Sequence, residues 1–253
     1  MKMPVVFVGH GSPMNAIEDN AYSRSWIELG QRLPRPTAIL CISAHWLTRG
    51  THITANPQPA TIHDFGGFPQ ELFNQQYPAP GDPALARRIS DSIDGVSIGL
   101  DMDWGFDHGS WSVLKQMYPQ ASIPLLQLSI DYHQPPQYHY QLGTALRWLR
   151  DEGVLILGSG NIVHNLRQIK PGGTPAQWAK TFDGEIAQAL EARFDGKIVE
   201  YAKLPGAALA VPTPDHYYPL LYALGAAEAD ETPSVFNTDI EMGSISMRSL
   251  LFG

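Results

Sequence analysis

The chain has a single cysteine in 253 residues, Cys41. That excludes an internal disulfide and every zinc module built on paired cysteines. Cys41 lies in the apolar run Ala38-Ile39-Leu40-Cys41-Ile42, where a thiol reads as a small buried hydrophobe. Long hydrophobic stretches are missing as well: no segment approaches the roughly 18 apolar residues of a membrane span. Met1 to Val8 carries one lysine and too short an apolar run for a signal peptide, so the expected location is cytoplasmic. Positive charge is scarce, 17 Lys and Arg against 25 Asp and Glu, for a net charge of −8. A protein that tracks phosphates needs a basic stripe, so neither nucleic acid nor a membrane surface is an expected partner. There is no repeat, low-complexity tract or charge run, and no feature bears on oligomeric state.

What is present is a globular composition, 43% hydrophobic and 17% charged. A chain of this length buries roughly three-quarters of its unfolded surface, so it folds without a staple and any metal site would serve chemistry. Short β-branched runs predict strands at Val5–Val8, Thr37–Ser43, Val96–Leu100, Ile123–Ser129 and Val154–Gly158. Helical patterns fall between them, at Tyr22–Leu33, Pro83–Ile93, Tyr138–Arg150 and Pro175–Phe194. The last has Trp178, Phe182, Ile186 and Leu190 on one face and Asp183, Glu185 and Glu191 on the other. Alternating β and α with near-continuous apolar strands predicts one α/β domain over residues 1–253. Its central sheet, mostly parallel or mixed, would be flanked by helices. Ser234–Asn237 and Ser244–Phe252 read as further strands, antiparallel at an edge. The long Pro/Gly-rich loop Asn56–Pro83 reads as a pocket wall, and Lys170–Thr174 as a second loop.

Nine histidines accompany the lone cysteine. Val5-Val6-Phe7-Val8-Gly9-His10 is a strand, a small residue, then histidine, and Leu40-Cys41-Ile42-Ser43-Ala44-His45 has the same form. His164 follows Leu155-Ile156-Leu157-Gly158-Ser159-Gly160 just past a Gly-rich turn. Ligands of open α/β sheets bind outside the carboxyl ends of strands, where three such histidines can converge. His108, between Asp107 and Gly109, and His216, after Asp215, each stand at an expected helix start, where Asp215 also suits an N-cap. His63 is placed to line the pocket. His52, His133 and His139 read as surface or packing residues.

These stretches are familiar together. Gly9-His10-Gly11-Ser12-Pro13-Met14, Ser43-Ala44-His45-Trp46, Asp64-Phe65-Gly66-Gly67-Phe68-Pro69, Tyr77-Pro78-Ala79-Pro80-Gly81, Trp104-Gly105-Phe106-Asp107-His108-Gly109, His164-Asn165-Leu166 and Asp215-His216-Tyr217-Tyr218-Pro219-Leu220 occur in this order. The whole resembles the class III extradiol ring-cleavage dioxygenases, in their 4,5-DOPA extradiol dioxygenase branch. The resemblance implies that His10, His45 and His216 bind one divalent metal. It implies that His164 is the acid/base group, or a fourth ligand in zinc-loaded members, and that His108 contacts substrate or oxygen. Relatives acting on protocatechuate complete their ligand set with Glu, whereas this chain offers His216 beside Asp215. Many members of the branch read His-Pro-Thr where this chain has Val211-Pro212-Thr213, so a histidine there is not a required ligand.

The implied reaction opens a catechol ring, of the L-DOPA kind, beside its hydroxyls with O₂ to give a muconic semialdehyde. Neutral imidazoles suit Fe(II), the metal expected for ring cleavage, and equally Zn(II), which has no redox chemistry and can occupy the isolated protein. Phe65, Phe68, Trp46 and Tyr77 are candidates to pack on the ring, and no residue presents itself for a substrate carboxylate or amine. Two other readings compete. Three histidines can equally build a zinc hydrolase with His164 or Asp215 handling the proton of bound water. A non-enzymatic binder of the same fold is the other. Val8-Gly9-His10-Gly11-Ser12 also resembles the start of a tetrapyrrole metal chelatase, but that match stops there.

Overall fold

A computed structural model describes residues 2–253. Its centre is a six-stranded sheet of β1 (Val5–Gly9), β2 (Ala38–Ser43), β3 (Leu125–Gln127), β4 (Val154–Gly160), β5 (Ser234–Phe236) and β6 (Ser249–Phe252). The spatial order is β3-β2-β4-β1-β6-β5. The first four are parallel, while β6 runs antiparallel to both β1 and β5, so the sheet is mixed. β6 is therefore interior and only β5 forms that edge.

Alternate residues of the central strands feed two cores, which is why these runs are apolar throughout rather than alternating. Phe7, Leu40, Ile42 and Ile156 face α4 (Pro136–Leu146), α5 (Gln177–Glu191) and α6 (Tyr218–Ala226). Val6, Val8, Ile39, Cys41 and Leu157 face α1 (Ala21–Arg32) and α3 (His108–Met117). The remaining long helix, α2 (Pro83–Ser92), adds Leu85 and Ile89 to the first core. Helix starts follow local chemistry: Asn20 and Ser23 form a reciprocal capping box on α1, Asp82 caps α2 ahead of Pro83, and Asp107 caps α3.

Four expectations are corrected. The strand expected at Val96–Leu100 spans Ile98–Asp101 and pairs with Thr51–Thr54 in a separate two-stranded sheet. Ser244–Phe252 breaks into Ile245–Ser246 and β6, because Met247 turns to pack its backbone against Gly9, where a Cβ would come within 2.7 Å. The helix expected over Tyr138–Arg150 tightens into a 3-10 turn from Arg147. Asp183 of α5, expected on the wet face, is buried and holds Arg248 at 2.7 Å and the Ser246 hydroxyl at 2.6 Å.

Candidate metal centre

Strand register brings the site together. Ser159 of β4 lies level with Val8 of β1 and with Ser43 of β2, so β1 and β2 flank the end of β4. Their backbones stand about 10 Å apart, two strand spacings. His10, one residue beyond β1, and His45, two beyond β2, lean toward each other across that gap until their Nε2 atoms are 3.2 Å apart. His216 arrives from the start of α6, where its carbonyl accepts the Asn161 N–H at 2.8 Å. Gly160 permits this approach: a Cβ there would lie 2.1 Å from the His216 carbonyl oxygen. The rings of His10, His45 and His216 have centroids 5.0–5.2 Å apart, and one nitrogen from each falls within 4.8 Å of the others.

The outward ring nitrogens of His10 and His216 are hydrogen-bonded, and that of His45 faces a carboxylate. His10 Nδ1 lies 3.0 Å from Ser159 Oγ, and that hydroxyl donates to the Gly109 carbonyl. Ser159 must therefore accept from His10 Nδ1–H, which leaves the lone pair of Nε2 facing the focus. His216 Nδ1 donates to Asp215, so Asp215 is a partner of its neighbour rather than the cap of α6, which has none. Asp64 Oδ2 lies 3.4 Å from His45 Nδ1 and 3.0 Å from His108 Nδ1, though the latter is approached obliquely. Asp64 Oδ1 accepts the His108 backbone N–H at 2.9 Å. Below them Asp107, fully buried, accepts from Ser43 and from Gln127, each at 2.6 Å.

Burial, and then the neighbouring histidines, push His10 and His45 well below the ordinary imidazole range. Burial would raise Asp64 and Asp215, but hydrogen bonding and charge from His108 and His216 respectively outweigh it and hold both carboxylates low. His10 and His45 are thereby held as neutral imidazoles, with carboxylates behind the cluster. That donor set fits a divalent cation and lacks only the ion's charge.

His164 stands apart from the triad. Its ring lies flat on His216, centroids 3.5 Å apart, and its closest ligand-type group is with Asp215 and His216. Burial and His216 lower it to about 3, with Asp215 opposing. An anion entering the cavity would act in the same sense as Asp215. His108 stacks toward His45 at 3.9 Å and lies 5.8 Å from His10.

These rings border a cavity of about 510 Å³, roomy enough for a small aromatic. Phe65, Phe68, Ile169, Met242 and Ile245 form its apolar wall, so the Asn56–Pro83 loop supplies part of it as expected. His63 is corrected: it stands behind Phe65, bonded to the Gln75 carbonyl, and is not among the residues lining the cavity. Trp46 and Tyr77 are buried elsewhere, Trp46 stacked on Trp104 and the Tyr77 hydroxyl on the Tyr118 carbonyl. His139 is a fully buried packing residue. Sequence reasoning missed the partner roles of Ser159 and Asp64. The only sequence signal for the first was a serine between two glycines at the end of a strand aimed at the site.

Residues 5–247 match the family described as the catalytic LigB subunit of aromatic ring-opening dioxygenase. The chain belongs to that family. It is 50% identical to the 4,5-DOPA dioxygenase extradiol of Escherichia coli (strain K12) over all of this chain and 95% of that one. It is 40% identical to the Beta vulgaris protein of the same description, over 97% of this chain and 95% of that one. An uncharacterized Escherichia coli K12 protein of known crystal structure superposes with a TM-score of 0.89 at 46% identity, each chain covered in full. Membership decides between the three readings of the sequence in favour of aromatic ring opening. Among the described residues no helix is long and apolar enough to cross a membrane.

Proposed function

We propose that this chain, acting as one catalytic domain, opens a catechol ring of the L-DOPA kind beside its hydroxyls, with Fe(II) held by Nε2 of His10, His45 and His216. The convergence of three imidazoles on one point carries the reading, with Ser159 and Asp215 taking the outward nitrogens of His10 and His216 and turning their Nε2 atoms to the same focus. Fe(II) would supply a Lewis acid for the catechol oxygens and the redox change that O₂ chemistry requires. The protein does the rest. Ser159 and Asp215 fix the orientation and tautomer of His10 and His216, and Asp64 faces Nδ1 of His45. The apolar wall of Phe65 and Phe68 takes the aromatic ring and excludes water. His164, beside the triad rather than in it, accepts the proton of the second hydroxyl as neutral imidazole and returns it when the ring opens. His108, held by Asp64 over His45, presents Nε2 to the substrate side of the cavity. The relatives named 4,5-DOPA dioxygenase extradiol support the substrate class.

The test is oxygen uptake with a panel of catechols after anaerobic loading with Fe(II). About one O₂ should be consumed per catechol, with an absorbing semialdehyde as product, whereas Zn(II)-loaded protein should bind catechol and consume none. Equal turnover with both metals would refute the assignment.

A further inference from the structure

The site cavity has no lysine or arginine in its wall. It adjoins a second groove of about 350 Å³, the two sharing His164, Leu166 and His216. This groove runs between the 165–167 turn and the 212–215 segment, and contains one permanent cation, Arg167. Unlike Arg88, Arg150 or Arg248, each held by a carboxylate, Arg167 forms no ion pair among the described residues. Its backbone is nevertheless fixed. The Arg167 N–H donates to Asn165 Oδ1, and Asn165 is tied to the Leu209 carbonyl and to Ser244. The inner end of the groove carries the Asp215 carboxylate, already engaged by His216. The groove wall thus carries one carboxylate already engaged by His216 and one cation without an ion-pair partner among the described residues.

We infer that this groove receives the substituent of the catechol and that Arg167 is a specificity-determining residue for a terminal carboxylate. The inference rests on the reading of the main cavity as the catechol site. A ring chelated at the triad lies beside His164, and a two- or three-carbon chain leaving the position para to a hydroxyl passes Leu166 into the groove. Arg167 offers a planar fork matched to a carboxylate, on a backbone that does not have to be ordered first. A cationic amine tail meets the same group with repulsion.

Affinity on Zn(II)-loaded protein, measured by calorimetry, tests this without any turnover. The probes are 3-(3,4-dihydroxyphenyl)propanoate, 4-methylcatechol and dopamine. The wild type should prefer the propanoate to 4-methylcatechol by about tenfold, the scale of a partly exposed charge-assisted contact. Arg167→Gln should erase that preference, Arg167→Lys should keep part of it, and Arg167→Glu should shift it toward dopamine. Unchanged ratios in the Gln and Glu variants would overturn the inference, as would an equal loss for charged and neutral catechols. Oxygen uptake by the Fe(II)-loaded protein is scored separately. Its absence together with shifted binding ratios would count against the dioxygenase reading alone, and its presence with unmoved ratios against Arg167 alone.

Discussion

Replacing Ser159 with alanine removes one hydroxyl and should weaken metal binding without touching a ligand. The hydroxyl accepts from His10 Nδ1 and donates to the Gly109 carbonyl, and both contacts are buried. In the variant Nδ1–H loses its partner, at about 1–3 kcal/mol for a buried group left unsatisfied, while the Gly109 carbonyl keeps its place within α3. The apo protein should therefore unfold several degrees lower, at about 2–4 °C per kcal/mol for a chain of this size. The functional effect is separate. Without its acceptor, His10 is no longer held with Nε2 bare, and loss of such an orienting partner typically costs 10–100-fold in metal affinity, about 1.4–2.7 kcal/mol. Zn(II) competition against a chromophoric chelator reads this directly, and Ser159→Thr, which keeps the hydroxyl, should recover part of the affinity. A Ser159→Ala protein that is less stable yet binds zinc as tightly as wild type would refute the tautomer argument and leave Ser159 a packing residue.

Alanine at His10, His45 or His216 should abolish stoichiometric metal binding, checked by metal analysis, while the fold survives on its two apolar cores. His164→Gln should keep most of the metal but lose roughly 10²–10⁴-fold in catechol turnover, the scale of a positioned proton-transfer group; an emptied site would make His164 a ligand instead. Asp64→Asn should lower turnover with metal retained, since Asp64 faces one ligand and one non-ligand histidine. His139, buried against Tyr218 and bonded to Tyr222, is pushed down to about 4 by burial, below the ordinary value of about 6.5. The unfolded chain therefore binds this proton first, so the contribution is full above about pH 6.5 and is lost as pH falls toward 4. At pH 5 the loss is about 2 kcal/mol. Urea unfolding at pH 7.5 and 5 should show a smaller acid loss in His139→Gln by that amount, and equal losses would refute the assignment.

The strands that deliver His10, His45 and His164 were legible because a parallel strand covered on both faces is a run of apolar residues with an abrupt polar end. The strand end is also where such a sheet binds ligands. α6 was not legible beyond its start. Leu220 to Ala226 are buried on every side, so no amphipathic period marks the helix. Asp183 misled for the opposite reason: a carboxylate at a wet-face spacing is buried because Arg248, 65 residues away, reaches it. Long-range polar pairs of this kind leave no local pattern. The same holds for Asp64, whose oxygen lies between two histidines drawn from different segments, and for Arg167, whose significance lies in which cavity it borders.

Three aspartates surround the centre, and the geometry gives each a different task. Asp107 lies below the triad and ties Ser43 of β2 to Gln127 of β3, so the platform under His45 is a closed hydrogen-bond network rather than a loose loop. Asp64 and Asp215 sit one ion contact or hydrogen bond behind the rings of His45 and His216. Neutral imidazoles leave a bound divalent ion its full charge, whereas a carboxylate ligand would cancel half of it. That larger charge favours a catechol that arrives neutral and must give up protons to bind. The carboxylate behind His216 returns part of the negative charge through Nδ1–H and strengthens the ring as a donor. With the anions behind the imidazoles, a divalent ion held by the three histidines would keep positions open toward the cavity for substrate oxygens. This division between ligand and orienting partner follows from one feature of the chain: histidines at the ends of neighbouring strands, with serine and aspartate on the segments that pass behind them.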